Sequence, residues 1–297
     1  MERIISYKEF TKKVTGAVES FYAGSARVGI RKVEKNNGVV RDSLFVLFDT
    51  DRVTPVLYME DLYRRLKSGV SLRTVIKEVL DVYENNRSQL PFDPERLSCF
   101  DQVSGTLAYR LVNADRNEKM LKEVPHSEYL DLALVYMCVI KSSDYGNGSM
   151  LVTNALLEAW DVDKGELEIK ARENARDTLP PTVKSLVSVL KDSFGISEFP
   201  DVFDMKVITN SLGLYGASAV CYEGVLGELA ESLEDDLVLL PSSVHEMLAL
   251  PASKVSDYDE MRELVKSVNL TEVSPQEYLS DNVYFYDRSL DRLEVCG

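Results

Sequence analysis

A short turn near the amino terminus constrains the fold of this chain more than any other feature. The turn, Lys35-Asn36-Asn37-Gly38, lies between 26–34 and 39–48, two segments rich in β-branched and other apolar residues. Asn and Gly tolerate positive φ and therefore close tight connections between paired strands. The pattern predicts an antiparallel β-hairpin, so the chain builds at least one sheet within its first fifty residues.

Elsewhere, segments with apolar residues at helical spacing alternate with short apolar runs bounded by turn residues. The helical spacing predicts helices at 6–22, 59–67, 71–86, 154–160, 164–177, 182–193, 216–233 and 257–268. The apolar runs predict strands at 129–141, 149–153, 205–209 and 237–240, and a last hairpin at 283–295. A short strand and a helix are predicted before residue 123, and a helix or turn directly after Pro241. This mixture indicates an α+β protein, with mixed or antiparallel sheets flanked by helices.

The charge of the chain is divided unequally between its two halves. Residues 1–150 carry 22 basic and 21 acidic side chains, whereas residues 151–297 carry 12 and 28. A turn predicted at 144–148 lies close to this change in charge. We therefore predict two α+β subdomains, a near-neutral one at 1–147 and an acidic one at 148–297.

The net charge of -15 argues against a protein held to nucleic acid mainly by phosphate contacts, because such proteins need clustered Lys and Arg. Basic residues do gather on the first hairpin, and they are Arg27, Arg31, Lys32, Lys35 and Arg41. No aromatic residue is interleaved with them along the hairpin, so this patch predicts a protein partner and no direct nucleic-acid binding.

Histidine and cysteine are too few and too scattered for a metal or redox site. The two histidines, His126 and His245, exclude a His-rich metal centre. The four cysteines, at positions 99, 138, 221 and 296, form no CxxC pair, and Cys138 and Cys221 have apolar neighbours typical of buried thiols. We therefore predict no metal and no cofactor.

No segment has the apolar length of a signal peptide or a membrane span. The longest apolar run, 132–140, has nine residues, against the roughly 20 that a spanning helix needs. We expect a cytoplasmic protein without a membrane partner.

The segment Pro241-Ser242-Ser243-Val244-His245-Glu246 is the first candidate site. It places two hydroxyls, a histidine and a carboxylate directly after a strand predicted to be buried. In a catalytic interpretation Ser242 or Ser243 is the nucleophile or an anion ligand, and His245 is the base. Glu246 would orient that base poorly from a helix, because adjacent side chains diverge by about 100°. In a structural interpretation a serine caps the next helix and His245 donates to a carbonyl.

A second, weaker candidate is the segment Gly213-Leu-Tyr-Gly216-Ala-Ser218. It lies between a predicted strand and a predicted helix, the context of a phosphate-binding loop. However, it has neither the GxGxxG spacing nor the GK[ST] ending of known nucleotide loops. Gly213, Gly216 and Ser218 are therefore candidate ligand-binding residues, with a loop that needs positive φ as the structural alternative.

Several segments resemble a family of uncharacterised bacterial proteins of about this length, found in anaerobic Gram-positive gut bacteria. The segments are Lys35-Asn36-Asn37-Gly38, Thr54-Pro55-Val56-Leu57-Tyr58, Leu240 to Glu246, Val268-Asn269-Leu270-Thr271-Glu272-Val273 and Leu279-Ser280-Asp281. The resemblance covers nearly the whole chain. It implies an accessory protein, in some cases of mobile-element origin, and carries over no catalytic residue.

These observations favour a non-enzymatic protein that acts through protein contacts as an interaction or regulatory factor. The alternative is a hydrolase or a small-ligand-binding enzyme that uses the segment 242–246. A third possibility is an acidic decoy of a nucleic-acid-binding protein. It follows from the composition after position 150, where 28 residues are acidic and 12 are basic.

Overall fold

The computed structural model describes residues 5–49, 54–86, 97–140, 148–194 and 204–296. Its contacts divide the chain into two units. Unit 1 comprises Met1–Lys35 and Val39–Glu95, and unit 2 comprises Asn36–Gly38 and Arg96–Gly297. Helices occur with antiparallel sheets of three, six and four strands, which confirms the α+β class.

Unit 1 is a three-stranded sheet covered by helices. Its elements are α1 Tyr7–Tyr22, β1 Arg27–Glu34, β2 Val40–Leu47, β3 Leu57–Tyr58, α2 Met59–Lys67 and α3 Leu72–Asn86, with sheet order β1-β2-β3. The Ser6 hydroxyl caps α1 by accepting from the Glu9 amide at 3.3 Å. The predicted hairpin and the three predicted helices are confirmed. β3 was not predicted, because two residues carry no periodic pattern.

Unit 2 contains the remaining elements. They are α4 Phe100–Val103, β4 Leu107–Asn113, α5 Glu118–Leu121, β5 His126–Tyr129, β6 Leu132–Ile140, β7 Gly148–Leu151, α6 Asn154–Trp160, α7 Lys164–Thr178, β8 Pro181–Ser185, α8 Leu186–Phe194, β9 Lys206–Asn210, α9 Val225–Leu233, β10 Leu237–Ser243, β11 Glu246–Pro251, α10 Tyr258–Thr271, β12 Tyr284–Asp287 and β13 Arg292–Val295. One sheet has the order β4-β6-β5, with β7 also paired to β6, and the other has the order β13-β12-β10-β11-β9-β8.

The core of unit 2 includes β10, as the apolar run 237–240 predicts. Leu237 and Leu239 belong to the main cluster of buried side chains, whereas Val238 and Leu240 pack with Val265 of α10. Both faces of this strand are therefore covered, which explains why it lacks the alternation of a half-exposed strand.

Three predicted elements differ from the structure, and one is the helix predicted at 216–233, which is a 3-10 helix at Gly216–Cys221 followed by α9 at Val225–Leu233. The segment 182–193 was predicted as one helix, but Pro181–Ser185 forms the edge strand β8 before α8 begins. A proline lacks the amide hydrogen and is tolerated at the start of an edge strand. The segment 129–141 was predicted as one strand, but Leu130, with a φ of 58°, turns the chain between β5 and β6.

After Pro241 the chain continues as a strand to Ser243, turns at 244–245 and returns as β11. Of the two predicted alternatives, the structure therefore has the turn. Pro241 lies where the register shifts between Pro241 and Ser243, and the pairing of β10 with β12 involves only Leu237 to Leu239. A proline is accepted here because no ladder bond requires its amide hydrogen.

The predicted boundary between 147 and 148 falls between β6 and β7, which pair with each other within unit 2. The turn predicted at 144–148 lies, as far as residue 147, outside the described residues. Counted by unit, unit 1 has 16 basic and 14 acidic residues and unit 2 has 18 and 35. The acidity of the chain therefore belongs to unit 2.

Asparagines form a polar network in unit 2. Asn37 has a φ of 60°, as expected for a turn asparagine. Its backbone amide donates to Asn117 Oδ1 at 2.8 Å, and the Asn117 side chain donates to Asn37 Oδ1 at 2.7 Å. Asn37 Nδ2 also donates to the Tyr278 carbonyl at 2.8 Å. The Asn36–Gly38 turn is thus fixed by residues far away along the chain.

Asp131 accepts three side-chain hydrogen bonds, from Ser280 Oγ at 2.6 Å, Asn282 Nδ2 at 3.0 Å and Tyr284 OH at 2.8 Å. Ser280 and Tyr284 are almost fully buried.

Asp131→Asn replaces one acceptor oxygen by a donor, so at least one buried hydroxyl loses its partner. We expect the free energy of unfolding to fall by about 2–4 kcal/mol, measured by urea unfolding. Asp115→Asn, on an exposed side chain, is the control and should change it by less than about 0.5 kcal/mol. Equal effects of the two variants would contradict the role of Asp131.

Candidate functional site

The structure brings the two predicted candidate segments together. The Tyr215 amide donates to His245 Nδ1 at 3.2 Å, and Thr209 Oγ1 donates to the His245 carbonyl at 2.7 Å. The Ala217 amide donates to the Val244 carbonyl at 3.3 Å. Because β9 pairs with β11, the loop that follows β9 lies against the turn that precedes β11.

A constrained backbone holds the first segment in place. Gly213 and Tyr215 have φ values of 61° and 53°. A positive φ is rare for a residue with a bulky side chain and is often found at functional sites. At Gly216 an added Cβ would lie 2.5 Å from the His245 carbonyl oxygen, so only glycine fits. Gly213 therefore meets a requirement of backbone conformation and Gly216 a requirement of space.

The phosphate-loop context predicted for 213–218 is absent from this segment. A buried 3-10 helix, Gly216–Cys221, follows the turn, and α9 begins only at Val225. Ser218 is fully buried and donates to the Tyr215 carbonyl at 2.9 Å. The segment thus presents no α-helix amino terminus to a phosphate.

The predicted nucleophiles are not paired with the predicted base. Ser242 Oγ donates to Glu246 Oε1 at 3.0 Å, and Ser243 Oγ accepts from the His245 backbone amide at 3.0 Å. Neither hydroxyl hydrogen-bonds to the imidazole, although nucleophilic catalysis by serine requires that contact. Neither serine caps a helix, because a strand follows. Ser243 instead stabilises the turn that carries His245.

The hydrogen bond from Tyr215 determines the tautomer of His245. Because Nδ1 accepts a backbone hydrogen, the neutral imidazole carries its own hydrogen on Nε2. Within the described part of the chain, Nε2 has no hydrogen-bond partner. The ring also stacks on Tyr215, with centroids 5.6 Å apart and planes inclined by 19°. His245 is therefore held in one orientation with a free donor.

Arg110, from the middle of β4, completes the site. Its guanidinium carbon lies 4.3 Å from the centroid of the Tyr215 ring, within cation–π distance. Its Nε atom is buried and has no hydrogen-bond partner in the structure, and no described carboxylate pairs with it. We call Arg110, Tyr215 and His245 the Arg110 site. Arg110 was not among the predicted site residues, although a single charge within the otherwise uncharged strand Leu107–Asn113 is a usable signal.

The second histidine lies apart from these residues, with Nδ1 of His126 3.1 Å from the Val124 carbonyl oxygen. Over the ranges that the structure describes, no three His, Cys, Asp or Glu side chains are placed to hold a metal ion. No helix in the same ranges combines the length and apolar character needed to cross a membrane.

Comparison with known proteins gives one match. A family model described as a family of unknown function, DUF5688, matches residues 7–288. This agrees with the predicted resemblance to an uncharacterised family of about 300 residues. No curated protein and no solved structure matches the chain.

Proposed function

We propose that this chain, which belongs to DUF5688, a family of unknown function, is a non-enzymatic protein that binds a carboxylate of a protein partner at the Arg110 site. One observation carries the proposal, namely that the guanidinium of Arg110 lacks a hydrogen-bond partner at Nε among the described residues. Arg110 is half-buried, but its Nε is buried without a hydrogen bond, and a buried donor without a partner is costly. A ligand carboxylate would remove that cost.

The chemistry of the site suits a carboxylate. Arg presents its donors in a planar fork that matches the two carboxylate oxygens. Tyr215 holds the guanidinium at 4.3 Å from its ring and also stacks on His245, whose Nε2 is a further donor beside the same tyrosine. Glu246 does not neutralise this charge in the structure, because its Oε1 accepts from Ser242. A fixed cation with a neighbouring donor selects an anion locally, even within an acidic unit.

The hydrogen bonds give less support to the hydrolase alternative. His245 uses Nδ1 to accept from Tyr215, and both candidate serines bond elsewhere. Catalysis would require the hydroxyl of Ser242 or Ser243 to break its present hydrogen bond and to approach His245 Nε2. The decoy alternative also has little support, because acidic residues of unit 2 are interspersed with cations in local pairs such as Arg172 with Glu168 and Lys266 with Glu263.

The proposal can be tested by NMR titration of the full chain, with the Tyr215 amide resonance as the reporter. The probes are a capped hexaglutamate peptide, sodium acetate and inorganic phosphate. We expect a saturable shift with the peptide, and binding at least about tenfold weaker in Arg110→Gln. Arg110→Lys keeps the charge but lacks the planar pair of donors, so its affinity for the peptide should lie between those of the wild type and Arg110→Gln. Lys122→Gln, on an exposed side chain, is the control and should bind as the wild type does.

Three results would overturn the proposal. Equal peptide affinity in the wild type and Arg110→Gln would remove the role of the guanidinium. Tighter binding of acetate or phosphate than of the peptide would exclude a protein carboxylate as the preferred ligand. Hydrolysis of p-nitrophenyl acetate that disappears in Ser242→Ala would show that the segment is catalytic.

A further inference from the structure

Strand pairing in unit 1 separates an apolar face from a basic one. Leu44 and Val46 of β2 lie opposite Ile30 and Val28 of β1 and pack with the helices. The side chains that alternate with them point to the other side of the sheet. We call this the outer face, and it carries Arg27, Gly29, Arg31, Val33, Arg41, Ser43, Phe45, Leu47 and Tyr58, of which Ser43 is fully buried.

Phe45 lies over Gly29 at the centre of the outer face. Gly29 is directly opposite Phe45, and an added Cβ on Gly29 would lie 2.9 Å from Phe45 Cζ. The ring therefore occupies the space that a side chain would fill. Arg27 and Arg31 stand on the same face, two residues before and after Gly29. Both are exposed, and among the described residues neither has an ion pair or a hydrogen bond from its side chain.

Tyr58 brings two further cations to this face. Lys35 Nζ is 4.7 Å and the Arg41 guanidinium carbon 4.2 Å from the centroid of the Tyr58 ring. Arg41 is also neutralised by Asp61 of α2 at 2.7 Å. As far as the structure describes the chain, the unpaired positive charges of the outer face are therefore those of Lys35, beside Tyr58, and of Arg27 and Arg31, on either side of the Phe45 ring.

We propose that the outer face binds single-stranded nucleic acid, with a base stacked on Phe45 and the backbone phosphates on Arg27 and Arg31. Phe45 is half-buried between exposed arginines, and an aromatic ring in such a position on a sheet is suited to unstacked bases. Arg27 and Arg31 are four residues apart, about 13 Å along the strand, so they contact different phosphates. An acidic peptide would use the arginines but has no need of the ring.

The order of residues along the hairpin predicted no direct nucleic-acid binding, because no aromatic residue lies between the basic ones. In the folded sheet, β2 and β3 place Phe45 and Tyr58 on the same face as these basic residues. The acidity of the chain belongs to unit 2, with 35 acidic residues, whereas unit 1 has 16 basic and 14 acidic ones.

The test is fluorescence anisotropy with the full chain and labelled 15-mers of dT and U, at about 50 and about 200 mM salt. We expect the double variant Arg27→Gln/Arg31→Gln to bind at least tenfold more weakly, and its log–log salt slope to be smaller by about 1.4. The matched control Arg73→Gln/Lys77→Gln removes the same charge from exposed positions of α3. It should weaken binding by less than about threefold.

Phe45 variants separate stacking from charge. Phe45→Leu still covers Gly29 but has no ring, so we expect binding about tenfold weaker, whereas Phe45→Tyr should stay within about twofold of the wild type. Any of four results would overturn the proposal: no binding at about 50 mM salt, equal loss in the two charge variants, unchanged affinity in Phe45→Leu, or equal affinity for a duplex. None of these variants touches the Arg110 site.

Discussion

Gly216→Ala is expected to lower the free energy of unfolding by about 3 kcal/mol, since it forces a methyl group into closely packed backbone. The added Cβ would clash with Thr209 Oγ1 and lie 2.5 Å from the His245 carbonyl oxygen and 2.8 Å from the Asn210 nitrogen. Two of these three atoms belong to the backbone of β9 and the adjacent turn, so they cannot move aside as a flexible side chain would. Urea unfolding followed by circular dichroism measures the loss.

Gly227→Ala is the matched control for this substitution. Gly227 lies inside α9, where an added Cβ would be 3.4 Å from Tyr286 OH, an ordinary contact. Alanine is preferred to glycine within a helix by about 1 kcal/mol, so this variant should be neutral or slightly stabilising. Similar stability of the two variants would show that the turn at Gly216 adapts, and would remove the argument for a rigid Arg110 site.

The second large effect is alkaline unfolding. Burial raises the pKa of Tyr222 from 10.0 to about 12 and that of Cys138 from 9.0 to about 11. Burial also raises the pKa values of Tyr109, Tyr129 and Tyr284. In the unfolded chain these groups release their protons near their ordinary pKa values, whereas in the folded chain they retain them. Their contribution to stability is complete below about pH 9 and is lost as the pH rises.

Each of these groups lowers the free energy of unfolding by up to about 1.4 kcal/mol per pH unit between its unfolded and folded pKa. The five groups together amount to a loss of up to about 14 kcal/mol by pH 12, comparable with the 5–15 kcal/mol stability typical of proteins, so we expect the chain to be folded at pH 8 and unfolded by about pH 12. Chemical denaturation at a series of pH values measures the slope. In Tyr222→Phe the free energy of unfolding should fall less steeply between about pH 10 and 12 than in the wild type. A stability independent of pH between 9 and 11 would contradict the prediction.

Much of the secondary structure is predictable because its causes are local. Asp163 caps α7 by accepting from the Glu166 amide at 2.9 Å, and both residues can be recognised in the sequence. The buried strand β10 is recognisable by its continuous apolar run. The edge strand β8 is not, since its pairing with β9 outweighs the helical spacing of 182–193.

The candidate site is predictable only in its parts. Residues 213–218 and 241–246 stand out individually, but the pairing of β9 with β11 brings them together. Arg110 joins them from a strand more than 100 residues before Tyr215. Likewise, Phe45 meets Gly29 only through the register of the first hairpin. Such contacts depend on long-range pairing, about which local patterns carry no information.

The hydrogen bonds of Asp131 and Asn37 have a consequence for synthesis of the chain. Their partners include Tyr278, Ser280 and Tyr284, which follow Asn37 or Asp131 by 149 to 241 residues. Translation proceeds from the amino terminus, and domains generally fold as units. A ribosome must therefore add residue 284 before Asp131 has all its partners, so this network of unit 2 forms only after 153 further residues have followed Asp131, whereas the three strands of unit 1 have been synthesised long before.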